Sequence, residues 1–181
     1  MIPGFTLLKD VIDEEVENQI VQALDKETWS SSLVRRTQHY GYEYNYRNKG
    51  VQKKAPEFPK AIRHVSDYLK QNNIINANQC IVNEYTIDQG ISKHIDSSDF
   101  GPVVVSLSLN ADTNFIFRKG DIIELIEVPR RSLLILAQEA RYNWTHEIPK
   151  SKSYMIDGNK VFKDNDYRRI SLTFRTVNLR N

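Results

Sequence analysis

A run of short strand-like segments fills the chain from Gln79 onward and constrains the fold more than any other feature. The segments are rich in β-branched and apolar residues, and turn signals around Gly90, Gly120 and Gly158 separate them. The predicted strands cover residues 80–86, 103–109, 114–117, 122–128, 132–137 and 169–177. Many short strands with such spacing predict a sandwich or barrel core.

Two helices are predicted ahead of these strands. The first has an apolar stripe with a four-residue period at Ile12, Val16, Ile20 and Leu24. The second stripe covers residues 58–69, with Pro59 near its start. Core packing explains both stripes. Helices followed by many strands indicate an α+β domain.

The bulk properties limit the classes of protein to consider. The 181 residues are enough for one domain, 1–181, with a sizeable core. The single cysteine, Cys80, excludes an internal disulfide and a cysteine-based zinc site. The N-terminus does not resemble a secretory signal, and no apolar run reaches membrane-spanning length. We therefore expect a cytoplasmic or nuclear monomer that is neither secreted nor bound to a membrane.

One pair of residues has the spacing of metal ligands. His94 and Asp96 are separated by one residue, so on an extended segment their side chains point to the same face. Such a pair is common by chance, and a structural or surface histidine is the simpler interpretation of it alone. Among the four histidines, His146 is the best third ligand, because it lies on a later strand-like segment. Two histidines and one carboxylate leave open positions on a metal, as in non-haem Fe(II) oxygenases.

The last predicted strand carries two arginines on one face. Arg169, Ser171, Thr173 and Arg175 alternate with apolar residues. A strand with a solvent-exposed face would explain the alternation, but not the two arginines. Two guanidinium groups on one face can hold a small dianion. Asn83 and Tyr85 share a face in the same way on another predicted strand, where an amide and a phenol could bind carboxylate oxygens.

These motifs together resemble the AlkB-like Fe(II)/2-oxoglutarate dioxygenases. The similarity in order and spacing covers Asn83-x-Tyr85, Gly90, His94-x-Asp96, His146 and Arg169-x5-Arg175. Residues 35–44 also resemble the part of these enzymes that covers the substrate. The resemblance runs over nearly the whole chain. It implies a double-stranded β-helix, or jelly roll, in residues 79–181, with helical support and a substrate-covering region in residues 1–78.

The resemblance also implies a role for each site residue. His94, Asp96 and His146 would bind Fe(II) as the catalytic triad. Arg169, helped by Tyr85, would bind the distal carboxylate of 2-oxoglutarate. Asn83 and Arg175 would lie near its metal-bound end, and Ser171 stands where many relatives carry asparagine. The implied reaction uses O2, converts 2-oxoglutarate into succinate and hydroxylates a substrate carbon, and a hydroxylated N-methyl group would leave as formaldehyde.

Nucleic acid is the expected substrate class. Residues 38–43, 94–96 and 141–146 resemble the branch that hydroxylates modified wobble uridine in tRNA, while demethylation of alkylated bases in DNA or RNA remains open. The residues expected to contact phosphate or stack on a single-stranded or flipped base are Arg35, Arg36, Tyr40, Tyr42, Tyr44, Arg130 and Arg131. Further cations in this region are Arg47, Lys49, Lys53 and Lys54. A solvated surface loop would also explain the cations, and a packed hairpin would also explain the three tyrosines.

Two other functions are compatible with the sequence. The same chemistry could act on a protein side chain. The chain could also be a non-enzymatic nucleic-acid-binding module with a decayed site. The intact set of three metal ligands and two arginines argues against decay, because the loss of one ligand is the simplest route to it.

Overall fold

The computed structural model describes residues 1–45 and 50–177. Its helices are α1 (Glu14–Asp25), α2 (Lys60–Gln71) and α3 (Gln138–Tyr142). Its strands are β1 (Phe5–Leu8), β2 (Thr37–Tyr40), β3 (Tyr42–Asn45), β4 (Gly50–Lys54), β5 (Gln79–Tyr85), β6 (Ile91–His94), β7 (Phe100–Leu109), β8 (Thr113–Lys119), β9 (Ile122–Val128), β10 (Leu133–Leu136), β11 (Thr145–Ile148), β12 (Ser153–Ile156), β13 (Asn159–Phe162) and β14 (Arg169–Val177). Each predicted strand is present, with ends shifted by up to three residues.

Both predicted helices form, and each starts slightly later than its apolar stripe. Ile12 precedes α1, whose first turn is capped by Asp13, because the Asp13 carboxylate accepts a 2.8 Å hydrogen bond from the Val16 amide. Phe58 precedes α2, and Pro59 occupies the position before its first turn. The helices of the described residues are too short and too polar to cross a bilayer.

Two antiparallel sheets form the body of the protein. The major sheet has the strand order β1-β10-β7-β14-β5-β2, and the minor sheet has the order β6-β11-β8-β9. Two strands of the major sheet, β1 and β2, come from the first 78 residues, so this part of the chain contributes more than helices. The two sheets and the supporting helices agree with the jelly-roll fold that the sequence implied.

Separate apolar cores lie on the two faces of the major sheet. One core joins α1 and α2 to the outer face and includes Leu24, Leu69 and Phe174. The other fills the space between the sheets and includes Phe117 and Trp144. Strand β14 contributes apolar residues to the first core only, because its side chains alternate between the two faces. Its apolar residues pack under the helices, so its polar residues point into the space between the sheets, where they are not exposed to solvent.

Candidate active site

The first two predicted ligands lie where the minor sheet meets a buried loop. His94 is the last residue of β6, and Asp96 lies two residues further on, in the loop that leads to β7. The loop is held by Arg141 of α3, whose buried guanidinium donates hydrogen bonds to the carbonyls of Asp96 at 3.0 Å and Ser97 at 2.7 Å. Arg141 thus fixes the backbone that carries the carboxylate.

The third predicted ligand comes from the neighbouring strand. His146 of β11 pairs directly with His94 in the antiparallel register, and the two ring centroids are 4.3 Å apart. His146 Nε2 lies 3.6 Å from Asp96 Oδ2. One ligand atom from each of the three side chains lies within 4.8 Å of the other two, so the three can converge on one ion.

The protonation states suit a metal ion. The His94 Nδ1 donates to the Ser92 carbonyl at 2.8 Å, which leaves Nε2 with its lone pair. Burial lowers the pKa of His146 to about 4, so this imidazole is neutral at pH 7. Burial by itself would raise the pKa of Asp96, but Arg175 and the two histidines hold it well below its usual range. Two imidazoles and one carboxylate are a fitting donor set for Fe(II).

Arg175 is bound to the metal-ligand carboxylate. Its Nε and Nη2 donate to Asp96 Oδ1 at 3.0 and 2.6 Å. The other carboxylate oxygen, Oδ2, faces His146. The two oxygens of Asp96 therefore serve different partners, one the arginine and the other the metal position.

Arg169 is a buried cation at the other end of β14. Its side chain is 1% exposed, its Nε donates to Ser108 Oγ at 3.0 Å, and its guanidinium lies 5.4 Å from the Tyr85 ring centroid. Within residues 1–45 and 50–177, no carboxylate forms an ion pair with it, and its Nη1 has no hydrogen-bond partner. A buried charge without a counter-ion is costly, so this site is suited to an anionic ligand such as the 2-oxoglutarate carboxylate.

Two connected cavities surround the triad. The inner cavity, of about 60 Å³, lies between the sheets, and its lining includes Asn83, Tyr85, Ser171 and all three triad residues. The outer cavity, of about 390 Å³, opens from His94 and Asp96, and its lining includes Arg35, Tyr44, Lys93 and Phe100. Asn83 and Arg175 line both cavities. The predicted co-substrate residues Asn83, Tyr85, Ser171 and Arg175 thus line the inner cavity. Arg169 does not line it, but its guanidinium packs against Tyr85 and Phe115, which do. The outer cavity provides access for a substrate.

Of the residues predicted to contact substrate, Arg35 and Tyr44 line the outer cavity. Arg35 Nε donates to Asn83 Oδ1 at 2.8 Å, and the Tyr44 and Phe100 ring centroids are 5.4 Å apart. Tyr42 is partly buried, and its contact with the substrate stays a prediction. Arg47 and Lys49 lie outside the described residues.

The prediction for Tyr40 is wrong, and the one for Arg36 needs correction. Tyr40 is 6% exposed, belongs to the core under the helices and donates to Gln38, so it cannot stack on a base. Arg36 is adjacent to Arg35 and points the other way, onto Glu84, with an Nη2–Oε2 distance of 2.6 Å. The alternation of side chains along an extended segment explains why only one of the two arginines reaches the cavity.

Arg130 and Arg131 also take a role other than the predicted phosphate contact. Both lie in the turn between β9 and β10, next to α1. Arg130 donates to the fully buried carboxylate of Glu17 through Nε at 2.9 Å and Nη2 at 2.5 Å. Arg131 Nη1 lies 3.9 Å from the same carboxylate. The pair compensates a buried charge of α1 and does not line the cavities around the triad.

Sequence reasoning did not assign a role to three residues that shape the site. Arg141 holds the Asp96 loop, Phe100 lines the outer cavity, and Ser108 supports Arg169. Arg141 had a signal, because it belongs to the stretch 141–146 that resembles the family. Ser108 had a similar signal, because it belongs to the stretch 103–109 that also resembles the family. Phe100 had none, because an isolated aromatic residue on a strand is usually structural.

Comparisons with known proteins agree with this geometry. The model of the 2OG-Fe(II) oxygenase superfamily matches residues 25–175. An Arabidopsis thaliana protein named as an alkylated DNA repair protein ALKBH8 homolog is 35% identical, over 97% of this chain and 59% of its own length. A Macaca fascicularis protein named tRNA (carboxymethyluridine(34)-5-O)-methyltransferase ALKBH8 is 33% identical, over 89% of this chain and 26% of its own length. The chain thus spans less than two thirds of these two relatives.

Solved structures have the same fold. The structure of OsALKBH1 superposes with a TM-score of 0.72 at 18% identity, covering 97% of this chain and 98% of the other. A prolyl-4-hydroxylase from Pseudomonas putida superposes with a TM-score of 0.63 at 14% identity, covering 97% and 93%. The family match and the triad lead to one conclusion: this chain is an AlkB-like member of the 2OG-Fe(II) oxygenase superfamily, enzymes that use Fe(II) and 2-oxoglutarate.

Proposed function

We propose that this enzyme hydroxylates a modified base in RNA, with the wobble uridine of tRNA as the leading candidate. The names of relatives from Macaca fascicularis and Xenopus tropicalis, each 33% identical to this chain, refer to carboxymethyluridine at position 34 of tRNA. Each match covers at least 85% of this chain but only 26% of the relative, so what those whole proteins do is carried over here as a proposal.

The outer cavity carries this proposal. Arg35 and Lys93 line it beside the triad, and these cations suit the phosphates of a nucleotide. The neighbouring rings of Tyr44 and Phe100 offer an aromatic surface on which a base can stack. Arg35 and Lys93 form what we call the cationic rim of the outer cavity. A single nucleotide that enters from solvent would therefore bring its base toward the triad and leave its backbone at this rim.

Residues that line the inner cavity, together with Arg169 behind them, would hold the co-substrate. Arg169 would bind the distal carboxylate of 2-oxoglutarate, with Tyr85 packed against the guanidinium and able to donate from its hydroxyl. Asn83 and Ser171, which face each other across the β5–β14 pair, would contact the part nearer the triad. Arg175 would orient Asp96 and approach the metal-bound end of the co-substrate.

Bound Fe(II) would supply the oxidising chemistry, with O2 and 2-oxoglutarate as reactants and succinate and CO2 as products. The chain would supply orientation and exclusion of water. His146 lies against the Phe117 ring at a centroid distance of 5.7 Å, with Phe115 at 6.4 Å, so an apolar wall screens the metal position on its inner side. The substrate itself would close the outer side.

Oxidative demethylation of an alkylated base is the second candidate. A Caenorhabditis elegans relative named DNA N6-methyl adenine demethylase is 27% identical over 96% of this chain. The same cavity residues would serve, because the two reactions differ only in the carbon that is oxidised. A hydroxylated N-methyl group decomposes into the amine and formaldehyde, whereas a hydroxylated ring substituent is stable.

One experiment separates these possibilities. The purified protein is incubated with Fe(II), ascorbate and 2-oxoglutarate, and in parallel with tRNA that carries modified wobble uridine, DNA that carries N6-methyladenine, and histone peptides. Succinate, formaldehyde and the mass of each substrate are measured, with His94→Ala as the inactive control.

Each outcome points to a different function. Gain of one oxygen atom on the tRNA without formaldehyde supports the proposal. Formaldehyde from methylated DNA supports the second candidate, and oxygen gain on a peptide supports a protein substrate. No succinate from any substrate or from the uncoupled reaction contradicts an active oxygenase and favours a binding module.

A further inference from the structure

A second pocket lies beside the outer cavity. This side pocket, of about 480 Å³, is bounded by Ser30, Ser32, Thr37, His39 and Tyr44, among others. Tyr44 also lines the outer cavity, so the two spaces meet at this residue. A ligand that fills both would contact Tyr44.

The register of the major sheet places the two spaces side by side. In the β2–β5 pair, Thr37 lies opposite Asn83 and His39 lies opposite Ile81. Directly paired residues point to the same face of a sheet. Asn83 and Ile81 line the outer cavity, while Thr37 and His39 line the side pocket. One face of the sheet therefore leads from the triad into the side pocket within two strands.

The chemistry of the side pocket differs from that of the outer cavity. Its lining, as far as the described residues extend, contains hydroxyl, amide and imidazole groups and neither lysine nor arginine. The one carboxylate in the lining, Glu43, forms an ion pair with Lys53 at 3.0 Å. The outer cavity, in contrast, presents Arg35 and Lys93. The side pocket is therefore suited to a neutral group with hydrogen-bonding edges rather than to a phosphate.

His39 contributes a donor of defined orientation. Its Nδ1 accepts a hydrogen bond from the Tyr44 amide at 3.4 Å, which assigns the ring hydrogen to Nε2 when the ring is neutral. Burial, with Arg175 and Arg35 nearby, lowers the pKa of His39 and favours that neutral form. The hydroxyls of Ser30 and Ser32, 3.1 Å apart, add groups that can donate or accept.

We propose that the side pocket binds the base of the nucleotide next to the one that is oxidised, in a single-stranded segment of RNA. This inference rests on the proposed function and deepens it, because it makes the enzyme a reader of at least two consecutive nucleotides. The target base enters the outer cavity, the phosphate between the two nucleotides stays at the cationic rim, and the neighbouring base enters the polar side pocket across Tyr44.

Two adjacent serines provide a matched test. Ser32 lines the side pocket and is exposed, so Ser32→Phe fills the pocket without disturbing a core. Ser31 is also exposed and does not line the pocket, so Ser31→Phe is the control. Binding of a fluorescein-labelled single-stranded RNA to the Fe(II)-free protein is followed by anisotropy. The ratio of kcat/KM for a modified oligonucleotide to that for the modified nucleoside is measured with Fe(II).

We expect Ser32→Phe to weaken RNA binding about tenfold, which is a typical effect of losing one bound base. The ratio of kcat/KM for the oligonucleotide to that for the nucleoside should fall by a similar factor. Ser31→Phe should change neither. If Ser32→Phe leaves RNA binding and turnover intact, the side pocket does not bind a base, and the proposed function is unaffected. If the unchanged protein neither binds nor oxidises RNA but oxidises a peptide, the proposed function fails, and the inference with it.

Discussion

Arg175 donates two hydrogen bonds to one oxygen of Asp96, at 3.0 and 2.6 Å, while the other oxygen of Asp96 faces the imidazole of His146. The carboxylate is thus shared between an arginine and the metal position. This arrangement holds the carboxylate ionised and points one oxygen at the two histidines. It follows that the metal site depends on an arginine that is not itself a ligand.

Arg175→Met should therefore weaken metal binding about tenfold or more, because a residue that orients a ligand typically contributes 10–100-fold to affinity. Anaerobic titration with Fe(II), or with Mn(II) as an oxygen-stable substitute, measures the change. Arg118→Met is the control, since Arg118 pairs with Glu147, whose side chain points to the face of β11 opposite to that of His146. Equal metal affinity of the two variants would show that Asp96 needs no such support.

His94→Ala should abolish stoichiometric metal binding and turnover, because two protein ligands rarely retain Fe(II). The variant should keep its fold, since His94 ends a short strand and is only partly buried. Metal content and succinate formation are the two measurements, and circular dichroism checks the fold. A folded variant with an unchanged rate would refute the assignment of this ligand.

Arg169→Ala should weaken 2-oxoglutarate binding by roughly 1.5–3 kcal/mol, the usual range for a hydrogen bond to a charged group. The affinity for 2-oxoglutarate is measured by calorimetry on the Mn(II)-loaded protein. Because Arg169 is fully buried, Arg169→Lys serves as a second variant that keeps the charge and loses the forked geometry. Metal affinity should persist in both. An unaltered 2-oxoglutarate affinity in a folded Arg169→Ala protein would exclude the role proposed for Arg169.

Arg130→Ala should destabilise the protein without affecting RNA binding. The buried carboxylate of Glu17 would lose its strongest partner, and we expect the free energy of unfolding to fall by roughly 1–3 kcal/mol. Urea denaturation measures the loss, and the salt dependence of RNA binding tests for a phosphate contact. A stable variant with a shallower salt dependence would restore the role that the sequence suggested for Arg130.

The thiol of Cys80 should be unreactive in the native protein. It is fully buried in the core under the helices, and burial raises its pKa far above the usual range. Because the thiolate is the reactive form, a thiol reagent at pH 8 should modify one cysteine per chain only after denaturation. Rapid modification of the folded protein would contradict the packing of β5 against the helices.

Much of the site was predictable because its residues repeat with the periods of secondary structure. His94 and Asp96, Asn83 and Tyr85, and the polar face of β14 all follow the two-residue period of extended chain. Their shared direction was visible in the sequence, and the resemblance supplied their roles. The fold class was predictable for a similar reason, since strand and helix periods are local properties.

The residue that each of these side chains contacts was not predictable from local properties. Tyr40 and Tyr44 are alike in sequence context, but Gly41 has a φ of +75° and turns the chain between them, so one is buried under the helices and the other lines the cavity. Arg35 and Arg36 are neighbours, but strand pairing directs one to Asn83 and the other to Glu84.

The sequence by itself determined which side chains share a face and which chemistry they can offer. Only the tertiary structure decided that Arg175 binds Asp96, that Arg130 binds Glu17 and that the polar face of β14 lies inside the protein. Such contacts join residues 79 and 113 positions apart in the chain, so they depend on how the sheets and helices pack and leave no periodic signal.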